Sequence, residues 1–345
     1  MSVSMSRRRF MRNSFAAAAA VGVAGRLSLA ESAVAATAGT APFVPYSADS
    51  YFRSRVSGIP VDSARTGTFR SFMKAHPDQK SFAYPRIAGL GGDQWGTTFH
   101  LSSAADPVWR LRGTGVNAQT QIASTQGIHI ADSVLKAVPT GTQDRPMLIV
   151  DPVFGYSVFA ADCVPDYTSR TITCSSSGVT FHSSNGLDRR NPRTNDKRNF
   201  TSRGRLSDAG VIRPDLLNYA NANNTGLGHV LQFWFVQTEA TTFGTGYCNP
   251  MVGCEMRQVG GWGAEGERLC IDPSIDLTKR GLTGAALAVA RTLQQNGAYI
   301  GDNSGSSTML KGAQVTSSYN PYAGTNLGRD CLKGITWDDF IVLKC

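Results

Sequence analysis

The chain has 345 residues, with 34 Lys and Arg against 25 Asp and Glu, for a formal charge of +9. That surplus is too small and too scattered for a nucleic-acid binder. No apolar run after the N-terminus is long enough to span a bilayer, so the length is left for one large β domain or two small ones.

Residues 1–36 read as an export signal. Arg7-Arg8-Arg9-Phe10 is a basic cluster, Phe15–Gly25 is an Ala-rich apolar run, and Ala33-Val34-Ala35 supplies the small residues of a cleavage site. Paired arginines before an aromatic residue are the address of the twin-arginine route. A basic arm followed by a membrane helix is the alternative, and it fails on length, since a span needs about 20 apolar residues. Cleavage removes five arginines and one glutamate and leaves a charge near +5 on residues 37–345. The expected product is a secreted, extracellular monomer, with no membrane contact after cleavage and no nucleic-acid partner. Its charge suits an anionic wall or an acidic glycan.

Along the mature chain, Ala64–Ala75 sets Phe69, Phe72 and Met73 on one face and reads as a helix. Gly89–Gly96 is a Gly-rich loop carrying Trp95, read as an aromatic platform, with His100 nearby. Segments 146–150, 155–159, 170–174, 228–236 and 341–343 are short, rich in β-branched and aromatic residues and bounded by turn signals, so they read as strands. Residues 183–206 hold turn signals and an Arg-rich stretch that ends at Arg205. Leu282–Gln295 has an apolar stripe of Leu282, Ala286, Val289 and Leu293 and closes at Asn296-Gly297, a helix with its stop signal. The fold expected is all-β, a single jelly-roll-like β-sandwich over 37–345 with one or two packed helices.

Seven cysteines lie beyond residue 160, and outside the cytoplasm they are expected to pair. Spacing favours Cys163–Cys174 and Cys248–Cys254, with Cys331 anchoring Cys345 and Cys270 left over. Metal ligation is not expected, because no C-x-x-C pair and no histidine at ligand spacing occurs. No cofactor motif stands up either. Gly261–Gly266 spells G-x-G-x-x-G, but no helix opens inside it. H-E-x-x-H and G-x-S-x-G are missing.

Three stretches, in order, resemble a largely uncharacterised family of exported β-rich proteins from actinobacteria and related soil bacteria. They are Ala48–Phe52 running into Gly58–Asp62, Gly210–Leu217 followed by Gly228–Leu231, and Leu287–Leu293 ahead of Asn296–Asn303. The resemblance covers roughly residues 45–305. It implies a β-sandwich and no reaction. This chain departs from the family in its basic segment before Gly210 and in its cysteine content.

Chemistry is expected at few positions. His229 occupies the histidine of the second stretch and begins the most apolar strand, where it is either an acid/base group or a core histidine. Glu265 and Glu267, two apart behind Trp262, would share a strand face as a carboxylate pair for glycosidic chemistry, with Trp262 stacking on a sugar ring. A charged edge strand after a glycine loop is the alternative. Asp144 and Asp151 flank a strand on opposite sides. Arg213 and Arg205 are candidates for holding a substrate carboxylate, and Trp95 for carrying a sugar. The expected function is a secreted glycan-cleaving enzyme, hydrolase or lyase, acting on a polysaccharide or wall glycan. His229, Glu265 and Glu267 are its catalytic residues. Arg213, Trp262, Arg205 and Trp95 bind substrate. The rivals are a non-catalytic glycan- or wall-binding protein and an exported redox protein.

Overall fold

The computed structural model describes residues 41–76, 83–115, 118–119, 122–123, 125–138, 144–187, 202–255, 259–305 and 307–345. The expected export signal and most of the Arg-rich stretch lie outside them. Among the described residues are fourteen strands in three sheets and four helices.

The central sheet has six strands: β1 (Arg86–Ala88), β10 (Leu231–Phe235), β11 (Arg268–Ile271), β12 (Ala298–Asn303), β13 (Met309–Lys311) and β14 (Phe340–Leu343), in the spatial order β1-β13-β10-β12-β11-β14. Side chains alternate between the two faces of a strand. Phe233 and Phe235 of β10, Ile300 of β12, Leu310 of β13 and Ile87 of β1 enter the largest apolar core. That core is completed by α1 (Ser63–Ala75), α3 (Pro214–Ala222) and α4 (Gly284–Gln295). Both expected helices therefore form. Asp62 caps α1 by accepting from Arg65 N, and Phe69, Phe72 and Met73 are buried as the pattern requires. The stripe Leu282, Ala286, Val289 and Leu293 is buried along α4. The other face of the central sheet carries Gln232, Trp234, Met309 and Lys311.

Two four-stranded sheets complete the fold. One runs β2-β5-β6-β9 (Thr98–Leu101, Met147–Asp151, Tyr156–Ala161, Ser176–Phe181), and the other β4-β3-β8-β7 (Ile128–His129, Val108–Gly113, Thr171–Cys174, Val164–Asp166). A short helix α2 (Asp132–Lys136) follows β4. β5 is buried along its whole length. Alternation sends Leu148 and Val150 into the first core and Met147 and Ile149 into a second, which joins the two smaller sheets.

The β-rich expectation holds, and all five strand segments are found, but the jelly-roll sandwich is corrected. A jelly roll is built from antiparallel strands in two sheets. Here β1–β13, β10–β12, β2–β5 and β3–β8 pair in parallel. Parallel strands need long crossovers and helical cover, which is why more helices are present than a sandwich would carry.

The cysteine pairing is corrected as well. The disulfide joins Cys248 to Cys345. Register explains it: β14 sets Leu343 opposite Arg268 and so carries Cys345 toward Gly266, against which Cys248 passes. A Cβ on Gly266 would lie 1.9 Å from the Cys248 carbonyl oxygen, so the crossing requires glycine. Cys254 is free, its Sγ 3.2 Å from the Thr245 carbonyl oxygen, and Cys331 and Cys270 are free too. The β7–β8 register brings Cys163 opposite Cys174, but both are buried free thiols whose pKa values burial raises.

Two outcomes test this architecture. Leu293→Asp puts a carboxylate into the helix-covered core and should lower stability by at least about 3 kcal/mol in chemical denaturation. An unchanged midpoint would mean that α4 does not face the sheet. Cys345→Ser opens a long loop and should cost about 2–5 kcal/mol. Peptide mapping of the unreduced protein should recover Cys248 linked to Cys345 and no other partner for either.

Candidate functional site

The expected catalytic trio does not assemble. His229 is fully buried, its ring stacked on Phe52 at 4.4 Å and 9°. Its Nδ1 hydrogen donates to the Val230 carbonyl at 2.7 Å, and burial pulls its pKa down to about 4. At neutral pH it is an uncharged core histidine. It precedes the N-terminal end of β10, whereas Glu265 lies beside the C-terminal end of the neighbouring β12, so the two sit at opposite ends of the sheet.

Glu265 and Glu267 do not share a strand face. β11 begins only at Arg268, and Gly266 between them has φ +101°. Glu267 is gripped by Arg65, with Nε at 2.7 Å and a terminal nitrogen at 2.5 Å, and it accepts from Ala264 N at 2.6 Å. This buried pair fastens α1 to the strand it crosses. Trp262 belongs to the same fastening. Its Nε1 donates to Thr68 Oγ1 at 3.0 Å, its ring meets Phe69 at 5.1 Å, and the Arg65 guanidinium lies 4.4 Å from its centre. The indole is core and offers no sugar platform.

Arg213 is also structural. It is fully buried and donates to Asp208 at 3.0 Å, to both oxygens of Asp215 at 3.1 and 2.6 Å, and to the Phe43 carbonyl at 2.8 Å. His129 and His182 are tied into the fold as well. His129 Nδ1 lies 3.0 Å from Asp151 Oδ2, which also accepts from the His129 backbone, and His182 Nε2 lies 2.9 Å from Ser157 Oγ. Asp144 and Asp151 are no pair, since Asp151 is committed to this buried fastening.

Arg205 and Trp95 are brought to one region. The bulge between β10 and β12 pairs Trp234 with Asp302, and Arg205 reaches Asp302 at 3.2 Å while its guanidinium lies 5.5 Å from the Trp234 ring centre. β13 presents Lys311 to the same ring, with Nζ 4.9 Å from the centre. Asp93 acts electrostatically on Lys311, and Asp93 Oδ1 accepts from the backbone N–H of the exposed Trp95 at 2.7 Å. Gln232, on the same face, is buried, and its Nε2 has no acceptor.

The far end of this row is acidic. Arg203, in the left-handed region at φ 59°, bonds to Asp302, reaches Glu255 at 2.8 Å, and lies 3.4 Å from Glu265. A non-glycine residue held there is strained, and the three carboxylates around its guanidinium compensate. Glu265 is fully buried with Oε2 unpartnered. Burial lifts its pKa to about 8, with Arg203 opposing and Asp302 assisting. Lys311 is shifted the other way, to about 8, by burial, with Asp144 and Asp302 opposing. Three adjacent strands thus carry Lys311, Gln232 with Trp234, and Asp302, and Glu265 follows in the segment before β11. The sequence offered one usable signal for this row: Gln232 is the only amide inside the most apolar strand.

Glu265 sets a pH dependence. Its folded-state pKa is raised from 4.5 to about 8, so below pH 4.5 both folded and unfolded chains carry the proton. Between 4.5 and about 8 only the folded chain holds it, and stability drains away as pH rises across that window. Glu265→Gln lacks this loss and should gain on the wild type steadily from pH 4.5 to 8 in urea titrations. A stability difference that stays constant with pH would show that Glu265 ionises normally. No protein-family model, no curated protein and no solved structure matches this chain, so its function has to be read from the chemistry of this face.

Proposed function

We propose that the chain is an exported glycan-binding protein whose binding surface is the polar face of the central sheet, with Trp95 at its rim. One observation carries the reading: a single face offers a donor without an acceptor in Gln232 Nε2, a cation in Lys311 and a carboxylate in Asp302, and the loop whose Asp93 acts on Lys311 carries the exposed indole of Trp95. A hydroxyl-rich ligand meets such a face well, because each hydroxyl both donates and accepts, and a sugar ring has an apolar face for the indole. Export is supported by the arginine pair at Arg7-Arg8 and by the Cys248–Cys345 disulfide, which suits an oxidising compartment. The resemblance to exported soil-bacterial proteins points the same way. Among the described residues no helix is long and apolar enough to cross a membrane.

Binding leads over cleavage because Glu267 is locked by Arg65 and His229 is sealed in the core. Glu265 favours the cleavage reading as a second possibility. It keeps a proton to about pH 8 beside Asp302, the contrast of acid and carboxylate that glycosidic chemistry uses.

Affinity electrophoresis of the full-length chain through gels containing plant, fungal or bacterial polysaccharides tests both. At least one polysaccharide should retard the protein, and Trp95→Ala should weaken that retardation roughly tenfold, the scale of one aromatic contact. If no polysaccharide retards the wild type, the glycan reading fails. New reducing ends in the same mixtures, lost in Glu265→Gln while binding persists, would put cleavage first.

A further inference from the structure

Lys311 is a buried lysine that no carboxylate meets in an ion pair. Among the described residues, the other buried Asp, Glu and Arg side chains, from Asp151 through Asp339, each hold a hydrogen bond or an ion pair. Lys311 has neither; its ammonium lies over the face of Trp234, and Asp144, Asp302 and Asp93 act on it without forming an ion pair. Removing an ammonium from water is costly unless an anion or several acceptors replace the lost hydration. An indole face returns only part of that cost.

Its cross-strand neighbour repeats the shortage. The antiparallel β10–β13 register sets Phe233 opposite Leu310 and Trp234 opposite Met309, which brings Gln232 opposite Lys311 on the face turned away from the helices. Gln232 is 2% exposed, and its Nε2 has no acceptor. Two buried donors, one of them charged, therefore stand side by side with no oxygen between them. Gly301 and Gly210 let Gln232, Arg205 and Trp234 pack close. A Cβ on Gly301 would come within 3.2 Å of the Gln232 amide and 3.1 Å of Arg205, and one on Gly210 within 3.0 Å of Trp234.

We propose that Lys311 and Gln232 hold the carboxylate of an acidic sugar residue, whose ring lies toward Trp95; this rests on the glycan-binding reading above. A carboxylate has two acceptor oxygens, one for the ammonium and one for the amide. A singly charged group suits the surroundings better than a doubly charged one. Asp93, Asp144 and Asp302 all act on Lys311, and the Arg205 guanidinium is engaged by Asp302. The sugar hydroxyls would find acceptors at the Asp302 end of the row.

Isothermal titration of the full-length chain with galacturonate and glucuronate, with galactose and glucose as neutral controls and acetate as the bare carboxylate, tests the proposal. The uronates should bind at least tenfold more tightly than the neutral sugars. Lys311→Met and Gln232→Leu should each erase the preference for uronates, lowering uronate affinity at least tenfold more than neutral-sugar affinity. Uronate affinity should also fall as pH rises through about 8, where Lys311 loses its proton; burial and Arg205 favour that loss, and Asp144, Asp302 and Asp93 oppose it. Should Lys311→Met fail to fold, Gln232→Leu and the pH titration decide. Uronates that bind no better than neutral sugars, or that bind Lys311→Met as well as wild type, overturn the carboxylate site while glycan binding stands. Lys311-dependent binding of acetate without any sugar preference overturns the sugar and keeps the carboxylate. Absence of binding by every probe overturns both.

Discussion

The bulge between β10 and β12 is the constraint on which the candidate site depends. Without it, Trp234 would pair with Gly301, and Asp302 would pair with Phe235 and turn toward the helical core. The extra residue moves Asp302 one place along, so that it pairs with Trp234 and Asn303 with Phe235. A shift of one residue exchanges the faces of a strand, and bulges re-aim side chains in this way. The bulge residue must also be small, because Arg205 and Gln232 close over it. One local irregularity therefore aligns an aromatic ring, a carboxylate and a guanidinium on the face opposite the core.

Local structure was readable where it was set by local pattern. The stripe of Leu282 to Leu293 and the cluster of Phe69, Phe72 and Met73 fixed two helices, and the apolar runs fixed five strands. Sheet order was not readable. A strand buried on both faces, such as Met147–Asp151, gives a continuous apolar run that does not say whether its neighbour is parallel. Disulfide choice failed for the same reason. Cys248 and Cys345 are 97 residues apart and meet only through the β11–β14 register.

The candidate site failed in the sequence through unseen partners. Glu267 looked free because Arg65 lies 202 residues away, and Arg213 looked like a substrate anchor because burial by Phe43 and Asp208 leaves no local mark. His229 read equally well as a core residue, and the Phe52 ring decides that reading. Arg205 is buried beside Asp302, and Trp95 is exposed. Gln232 was passed over, although it carried a signal. An amide inside a five-residue strand that is otherwise apolar needs either a partner or a ligand, and no partner meets its Nε2.

Displaced pKa values near a cleft are weak pointers to function, since structural ion pairs displace them too. Glu265 and Lys311 separate the two cases within one row. Glu265 is explained by the fold: it is fully buried, it is neutral to about pH 8, and a neutral carboxyl in such a place needs only modest compensation from Arg203 and the Glu255 amide. Lys311 is not explained in that way. Its shift to about 8 still leaves it mostly charged at neutral pH, over an aromatic ring and beside an amide with the same unmet need. A fold selected for stability alone would do better with Met at this position, because replacing a buried charge by an apolar group of similar volume is often neutral or stabilising. Keeping the ammonium makes physical sense if something with oxygens comes to it.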